Sequence, residues 1–233
     1  YARILTEKVD PETIGELKKK YSYIHIYSYD PVRLPGFKVR IQPTLLIDLS
    51  QNTDQIFAGF NATARKHVRR GERNHDLELK MLDHNFDGAC KLYHKVKSAE
   101  GARPDIKKEF LNCIFFNAYW KGKMIVTMSF YDNGKYIRAK HTASLRKSMG
   151  EEDNLIAHAS RGLIWEVCKW GKANGRSFLD LAGINYDDPF KAGIRAFKES
   201  FGGEKKDVYI HRYETLLFSA VRRGLYFLGR NIN

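Results

Sequence analysis

The stretch that decides the fold is Met124–Leu145, which reads MIVTMSFYDNGKYIRAKHTASL. Two runs rich in β-branched and aromatic residues, Met124–Tyr131 and Lys135–Leu145, flank the pair Asn133-Gly134. An Asn-Gly pair suits the type I′ turn of a two-residue hairpin, because both positions of that turn need positive φ angles. We therefore predict a long antiparallel hairpin.

Helices and short strands alternate on the C-terminal side of this hairpin. Residues 154–174 carry apolar side chains at helical spacing and are followed by Gly175, a residue that commonly ends helices in the left-handed conformation. Beyond it we predict, in order, a strand over 178–181, a helix over 190–201 closed by Gly202-Gly203, a strand over 208–213 and a helix from 216 to about 230.

The N-terminal side is also mixed. We predict strand, short helix, strand and strand in the first fifty residues, then one helix from Asn52 to about Asn74, a strand over 77–82, and helices over 86–100 and 104–118. The prediction is an α+β fold with a mixed central sheet flanked by helices. Residues 1–43 are expected to form a strand and helix extension, and residues 44–233 the main domain.

Composition excludes several classes of protein. The 233 residues are 43% hydrophobic, which is too apolar for a mainly disordered chain, and no apolar stretch is long enough to span a bilayer. Lys and Arg number 40 against 27 Asp and Glu, a formal net charge of +13. Surface solubility is one account of this excess, and a polyanionic partner, such as tRNA, a nucleotide, an acidic carrier protein or anionic lipid, is the other.

Cysteine and histidine usage points to a cytoplasmic protein without a structural metal. Cys90, Cys113 and Cys168 are widely spaced and odd in number, so neither a disulfide framework nor a zinc site is indicated. The eight histidines form no HExxH or similarly tight ligand pattern. We expect a reducing compartment and no bound metal.

A strongly basic helix is the clearest concentration of charge. Arg65, Arg69 and Arg73 recur every four residues, with Lys66 and Arg70 beside them. Like charges at this spacing repel one another, and Glu72 is the only acid nearby. The pattern fits equally a solvated helix face and an anion-binding face.

Three segments carry a family resemblance. Arg65–Gly71 (RKHVRRG), Trp165–Gly183 (WEVCKWGKANGRSFLDLAG) and Phe197–Gly203 (FKESFGG) resemble, in this order, elements of Fem-type peptidoglycan-bridge aminoacyltransferases and BioF2-like acetyltransferase domains. The order of predicted elements also resembles that of the GNAT superfamily. The resemblance covers the chain from about Leu45 to Arg212. The resemblance implies a GNAT-like acyltransferase fold and transfer of an acyl or aminoacyl group to an amine.

The same resemblance implies where a cleft lies. In GNAT folds it opens where two central strands splay apart, so Arg138–Ala143 and Leu179–Gly183 would line it. It also places Lys198 near the acyl carbonyl of the donor. Direct aminolysis needs oxyanion donors and a proton for the leaving group, and it requires no covalent nucleophile.

Four further side chains are candidates, each with a structural alternative. His141 could be a general base or a buried hydrogen-bonded histidine, and Asp180 could orient the amine or bond nearby backbone. Tyr186 could protonate the leaving group or have only a structural role in its loop. Phe197 could stack on a base or pack with Phe201 in the core.

The loop Arg146–Asn154 bears on the identity of the acyl donor. It has one glycine, and Glu151, Glu152 and Asp153 place carboxylates where the pyrophosphate of coenzyme A would bind in the GNAT resemblance. An aminoacyl-tRNA donor held by Arg65, Arg69, Arg70 and Arg73 therefore fits better. An acyl thioester, on coenzyme A or an acyl-carrier protein, is the alternative donor.

Two rival functions follow from the charge. The basic helix could belong to a non-catalytic RNA-binding module. The last helix, with Arg222, Arg223 and Arg230 beside apolar residues, could attach peripherally to a membrane, although we prefer its interpretation as a packed C-terminal helix.

Overall fold

The computed structural model describes residues 1–145 and 153–227, which fall into two compact units. The described residues of the first are 1–44 and 206–227, and those of the second are 45–145 and 153–205. The helices and strands, numbered along the chain, are β1 (Ala2–Thr6), α1 (Pro11–Lys20), β2 (Tyr23–Ser28), β3 (Lys38–Asp48), α2 (Thr53–Gly59), α3 (Ala62–Glu72), β4 (Leu77–Met81), α4 (Phe86–Ala99), β5 (Ile114–Trp120), β6 (Lys123–Asp132), β7 (Tyr136–Ser144), α5 (Asp153–Ala173), β8 (Phe178–Asp180), α6 (Ala192–Glu199), β9 (Glu204–Glu214) and α7 (Leu216–Phe227).

The first unit is held by strand pairing between distant parts of the chain. β1 runs parallel to β2, and β2 runs antiparallel to β9. Ile24 and Ile26 of β2 are fully buried in its small core. The predicted extension over residues 1–43 lies in this unit, together with the C-terminal segment, because the partner of β2 is supplied by residues 209–214.

The second unit contains the hairpin and most of the core. β6 and β7 pair antiparallel on either side of Asn133-Gly134, as predicted. The strand order is β3, β8, β7, β6, β5, β4, and the contact between β7 and β8 is parallel while the others are antiparallel. α5 packs on one face of this sheet, and α4 packs against β6 and β7. Successive residues Phe115 and Phe116 enter different hydrophobic clusters, because strand side chains alternate between faces. The predicted α+β fold with a mixed sheet is confirmed.

Two predicted helices are wrong. The single helix over 52–74 is divided into α2 and α3, because Phe60 is extended and the Asn61 side chain accepts a hydrogen bond from the Ala64 N–H at 2.8 Å, which starts a new helix. The helix predicted over 104–118 is a short 3₁₀ turn, Lys107–Phe110, followed by β5. The aromatic and β-branched run of β5 instead forms a strand between β4 and β6.

The glycine pair after α6 permits a close backbone contact. Gly202 and Gly203 have φ angles of +68° and +93°, in the region that side chains disfavour. A Cβ on Gly202 would lie 2.5 Å from the carbonyl oxygen of Gly59, and one on Gly203 would lie 2.6 Å from that of Leu46. This turn therefore positions the end of α6 against the break between α2 and α3, and only glycine fits there.

The Gly202→Ala variant tests this contact. We expect it to lower the free energy of unfolding by about 2–4 kcal/mol, since it adds both a strained φ and a clash. The matched control is Gly175→Ala, which has a similar φ of +71° and open space at its Cβ, and should cost only about 1 kcal/mol. Urea unfolding of both variants measures the difference, and equal losses would show that the Gly59 contact is unimportant.

Candidate functional site

The candidate site lies where β7 and β8 stop pairing. Their parallel ladder runs from Tyr136 opposite Phe178 to Arg138 opposite Asp180. β8 ends there, while β7 continues to Ser144 beside β6 alone. Polar side chains at this point therefore lie at the end of the paired region and still inside the protein.

A buried ion pair stands at the end of the ladder. The Arg138 guanidinium bonds to one carboxylate oxygen of Asp180, and the two side chains are 4% and 0% exposed. The other oxygen of Asp180 accepts from the main-chain N–H of Ala182 at 2.7 Å. Ala182 has a φ of +61°, so this bond supports a left-handed turn that a side chain disfavours. Asp180 thus holds both Arg138 and the turn after β8.

Lys198 reaches the same turn from α6. Its ammonium nitrogen Nζ donates to the carbonyl oxygens of Gly183 at 2.8 Å and Ala182 at 3.2 Å. Burial lowers its pKa to about 8, against the raising effect of Asp180 and with a further lowering by Arg138. An ammonium has three N–H donors, so two held by carbonyls leave one for a ligand.

A β-bulge brings His141 to the side of the sheet that carries Arg138. Ser129 of β6 lies opposite His141, whereas the next residue, Phe130, lies opposite Ala139, so β7 holds one extra residue, Lys140. Strict alternation would place residues three apart on opposite faces, and the extra residue cancels that difference. Arg138 and His141 therefore share a face.

Both ring nitrogens of His141 have partners. Its Nε2 lies 3.1 Å from an Asp105 carboxylate oxygen and its Nδ1 lies 2.7 Å from the hydroxyl of Ser129. A carboxylate only accepts, so Nε2–H donates to Asp105, and Nδ1 exchanges a hydrogen bond with the Ser129 hydroxyl. The ring is 3% exposed and stacks on Phe110 at 3.7 Å. A role as general base would require one of these bonds to break.

Asp105 completes this cluster and was missed by the sequence analysis. The hydrogen bond from His141 holds the pKa of its carboxyl well below the usual range, burial opposes this, and the Lys140 ammonium at 3.1 Å adds to the lowering. Nothing local marks the Asp105 carboxylate as special, because its partners Lys140 and His141 lie more than thirty residues away in the chain.

Tyr186 has an unused hydroxyl. Its oxygen is buried and has no hydrogen-bond partner within residues 1–145 and 153–227. Its ring lies 4.5 Å from the Lys205 ammonium and 5.9 Å from the Arg195 guanidinium, which also donates to the Tyr186 carbonyl oxygen at 2.9 Å. The ring is therefore held by neighbours while the hydroxyl serves no visible structural role.

Phe197 precedes Lys198 on α6 and packs in the core. Its ring meets Phe201 edge to face at 4.9 Å. The Arg161 guanidinium of α5 lies 5.3 Å from the centre of the Phe197 ring. Phe197 is therefore held by packing on one side and by a cation on the other.

The basic helix divides into two groups. The Arg65 guanidinium donates to the carbonyl oxygens of Ala58 and Phe60 at the end of α2, at 2.9 Å for Ala58. Arg69, Arg70 and Arg73 are exposed and form no ion pair with the described part of the chain. Arg65 is thus used by the fold, and the other three remain available to an anion.

Some predicted features lie outside the described residues. They are residues 146–152 of the loop that bears on the donor, the side chain of Asp153, the side chains of Arg222 and Arg223, and Arg230. Among the residues that are described, no cluster of His, Cys, Asp and Glu could hold a metal ion. No helix of the described chain has the length and apolar character needed to cross a bilayer.

The Asp105→Asn variant tests the His141 cluster. We expect it to lower the free energy of unfolding at pH 7 by about 1–3 kcal/mol, because it removes the charge that His141 and Lys140 contact. The folded-state pKa is lowered, so the contribution is complete above the ordinary Asp pKa of about 4 and is lost as the pH falls through the folded value.

Chemical unfolding of wild type and variant at a series of pH values measures this. The control is Asp76→Asn, whose exposed carboxylate lies 3.9 Å from Lys121 and should contribute less than about 0.5 kcal/mol. A difference between wild type and Asp105→Asn that stays constant from pH 7 to below about 4 would contradict the assignment.

Comparison with known proteins gives the fold. No protein-family model and no curated protein matches the chain. Among solved structures, FemX is similar with a TM-score of 0.64 and 14% identity, over 97% of this chain and 82% of FemX. The C-terminal DUF2156 domain of an Agrobacterium fabrum protein described as a lysylphosphatidylglycerol synthetase gives 0.59 and 14%, over 94% of this chain and 81% of that domain.

A third structure agrees with these two. L-PGS from Bacillus licheniformis is similar with a TM-score of 0.57 and 14% identity, over 94% of this chain and 81% of that chain. At such identities the likeness shows the fold alone. The Fem-type fold expected from the sequence is confirmed, since the chain shares the fold of FemX.

Proposed function

We propose that this protein is a transferase that moves an aminoacyl or acyl group onto an amine by direct aminolysis, with aminoacyl-tRNA as the donor. The observation that carries the proposal is Lys198, whose ammonium is held by two carbonyls of the turn after β8 and retains one N–H. The fold, shared with FemX and L-PGS, supports acyl or aminoacyl transfer as the class of reaction.

The proposed reaction needs no covalent intermediate on the protein. The amine nitrogen attacks the donor's carbonyl carbon, forming the C–N bond, and the carbonyl oxygen becomes an oxyanion. The remaining N–H of Lys198 donates to this oxyanion. When the intermediate collapses, the C–O bond to the donor ribose breaks, and the proton released by the amine goes to the leaving oxygen.

Tyr186 is the proposed source of the proton for the leaving oxygen. Its hydroxyl is buried and has no partner in the described structure, so it can donate to a substrate atom without breaking a bond of the fold. It is then reprotonated by the proton that the amine loses. Arg138 and Asp180 take a positioning role, because their pair fixes the turn that holds Lys198.

The basic helix supports tRNA as the donor. Arg69, Arg70 and Arg73 are exposed and unpaired with carboxylates of the described chain, so each can contact a phosphate. Phe197 lies beside Lys198 and could contact the terminal base only if its ring moved from Phe201. Acyl-coenzyme A and acyl-carrier protein are the other donors to assay.

The same exposed arginines favour a second candidate function, a non-catalytic RNA-binding module. That function predicts RNA affinity that falls with salt and does not depend on Lys198. Turnover separates the two functions, because only the transferase loses activity when the Lys198 ammonium is removed.

The Lys198→Ala variant is the direct test. We expect kcat/KM for aminoacyl transfer to an amine panel to fall by about 100-fold or more, since one oxyanion donor is removed. The control is Lys95→Ala, which removes an exposed lysine of α4 and should leave kcat/KM unchanged. An unfolding curve of each variant shows whether the fold is retained, and a folded Lys198→Ala with wild-type turnover would refute the role.

The pH profile gives an independent measure of the same residue. With a pKa of about 8, the ammonium is lost as the pH rises through 8, and kcat/KM should fall there. Stability should move the other way: between about 8 and the unfolded pKa of about 10.4 the unfolded chain binds more protons, so the free energy of unfolding rises with pH. A rate that stays flat across pH 8 would contradict the assignment.

The Tyr186→Phe variant tests the proton donor. The hydroxyl has no partner in the described structure, so its removal should leave the free energy of unfolding unchanged or slightly raised. We expect kcat to fall by about 10–100-fold, because general acid catalysis is lost. Tyr209→Phe, on β9, provides a matched control for kcat. Unchanged kcat in Tyr186→Phe would remove Tyr186 from the mechanism.

A further inference from the structure

The seam between α3 and α5 brings together two histidines and several cations. Gly71 lets the helices approach closely, since a Cβ there would lie 3.4 Å from the His158 carbonyl oxygen. The rings of His67 and His158 are 5.1 Å apart and nearly perpendicular, at 74°. Arg70 on α3 and Arg161 on α5 are near enough to influence both rings. The seam is thus a compact basic cluster built by two helices.

Each histidine has an unsatisfied ring nitrogen. Nδ1 of His67 and Nε2 of His158 are buried, and neither has a hydrogen-bond partner within the described ranges 1–145 and 153–227. Buried polar atoms in native proteins are nearly always hydrogen-bonded, and those that are not commonly mark a place for a missing ligand or water. Two such atoms at one seam indicate a polar ligand.

The charges around the seam specify the sign of that ligand. Burial, together with Arg161, His158, Arg70 and Lys66, lowers the pKa of His67 to about 4. Burial, Arg70 and Arg161 likewise lower the pKa of His158. The groups that act on the two rings from α3 and α5 are therefore all basic, and a bound anion would offset their mutual repulsion.

One side chain of the seam contacts α6, the helix that carries Lys198. The Arg161 guanidinium lies 5.3 Å from the ring of Phe197, the residue that precedes Lys198. Arg69 is exposed on α3, with its guanidinium 5.5 Å from the Phe57 ring. The seam therefore adjoins both the exposed arginines of α3 and the helix that supplies Lys198.

We propose that His67, Arg70, His158 and Arg161 form a binding site for one backbone phosphate of the RNA that carries the donor group. The identification of the ligand as RNA rests on the proposed function, whereas the anion site rests on the seam itself. Phosphate oxygens accept from imidazole and guanidinium N–H groups, and the planar fork of arginine matches two of them. The phosphate charge favours the protonated imidazoles, so RNA binding takes up protons.

The test measures binding of an unacylated RNA hairpin with a single-stranded 3′ end, by fluorescence anisotropy. Arg70→Gln should weaken binding by about 5–10-fold and reduce the salt slope by about 1. His158→Gln should weaken binding by a similar factor and reduce the strengthening that wild type shows when the pH is lowered from about 7.5 to about 5.5, because only His67 then takes up a proton. The control Lys95→Gln removes one exposed charge on α4 and should change binding by less than about 2-fold.

Imidazole NMR signals of the wild-type protein give the second measurement. RNA should raise the pKa values of His67 and His158 together. The proposal is overturned if Arg70→Gln and Lys95→Gln weaken binding equally, or if the two pKa values do not move with RNA. Coenzyme A, assayed in parallel, distinguishes the source of the phosphate, and signals that respond to it but not to RNA overturn the assignment to RNA.

Binding and turnover fail independently in this design. The RNA is unacylated, so its binding needs no transfer reaction. RNA that binds as expected to a protein that transfers nothing would support the phosphate site and refute the transferase function. Aminoacyl transfer that persists with wild-type KM for tRNA in Arg70→Gln would overturn the phosphate site and leave the transferase function standing.

Discussion

The buried pair of Arg138 and Asp180 connects the sheet to the candidate active site. Neither charge can be left alone, because an unpaired ion in the protein interior costs several kcal/mol. The second carboxylate oxygen of Asp180 accepts a hydrogen bond from the Ala182 N–H. The turn fixed in this way presents the two carbonyl oxygens that bind the Lys198 ammonium. The end of one strand ladder thus sets the position of an ammonium supplied by a helix further along the chain.

The second constraint on Lys198 comes from the backbone. Gly202 lies four residues beyond it, and the absence of a side chain there lets the turn meet the Gly59 carbonyl. The N–H of Asn61 also donates to the Ser200 carbonyl oxygen at 2.8 Å, across the same contact. α6 is therefore held at its C-terminal end by main-chain contacts that do not depend on Lys198. The lysine can be replaced without removing the contacts that place its helix.

The large positive charge has several separate uses. Lys18, Lys19 and Lys20 end α1, where cations favour the helix dipole. Arg65 donates to carbonyls at the end of α2. Charge that carries no such structural duty is concentrated on the exposed part of α3, which is why an anionic donor is proposed there. The net charge alone allows a polyanionic partner but does not say which cations would meet it.

Local signals predicted much of the fold. The Asn-Gly hairpin, α5 with its terminal Gly175, the short β8 and the glycine pair after α6 all depend on residues close together in the chain, and the structure has each of them. The wrong predictions have distant causes. The Asn61 cap competes with a continuous helix, and the run Ile114–Trp120 becomes a strand because β4 and β6 are there to pair with it.

The candidate site also combines features that local sequence predicts with features that depend on distant contacts. The sequence alone singled out Lys198, Asp180 and the basic helix, because their segments resemble those of Fem-type proteins. It also named His141, Tyr186 and Phe197 as candidates. Only the tertiary structure paired Arg138 with Asp180, used a bulge to turn His141 toward Asp105, and set His67 against His158. Such contacts join residues dozens of positions apart, and their energy depends on burial and geometry that no local stretch of sequence contains.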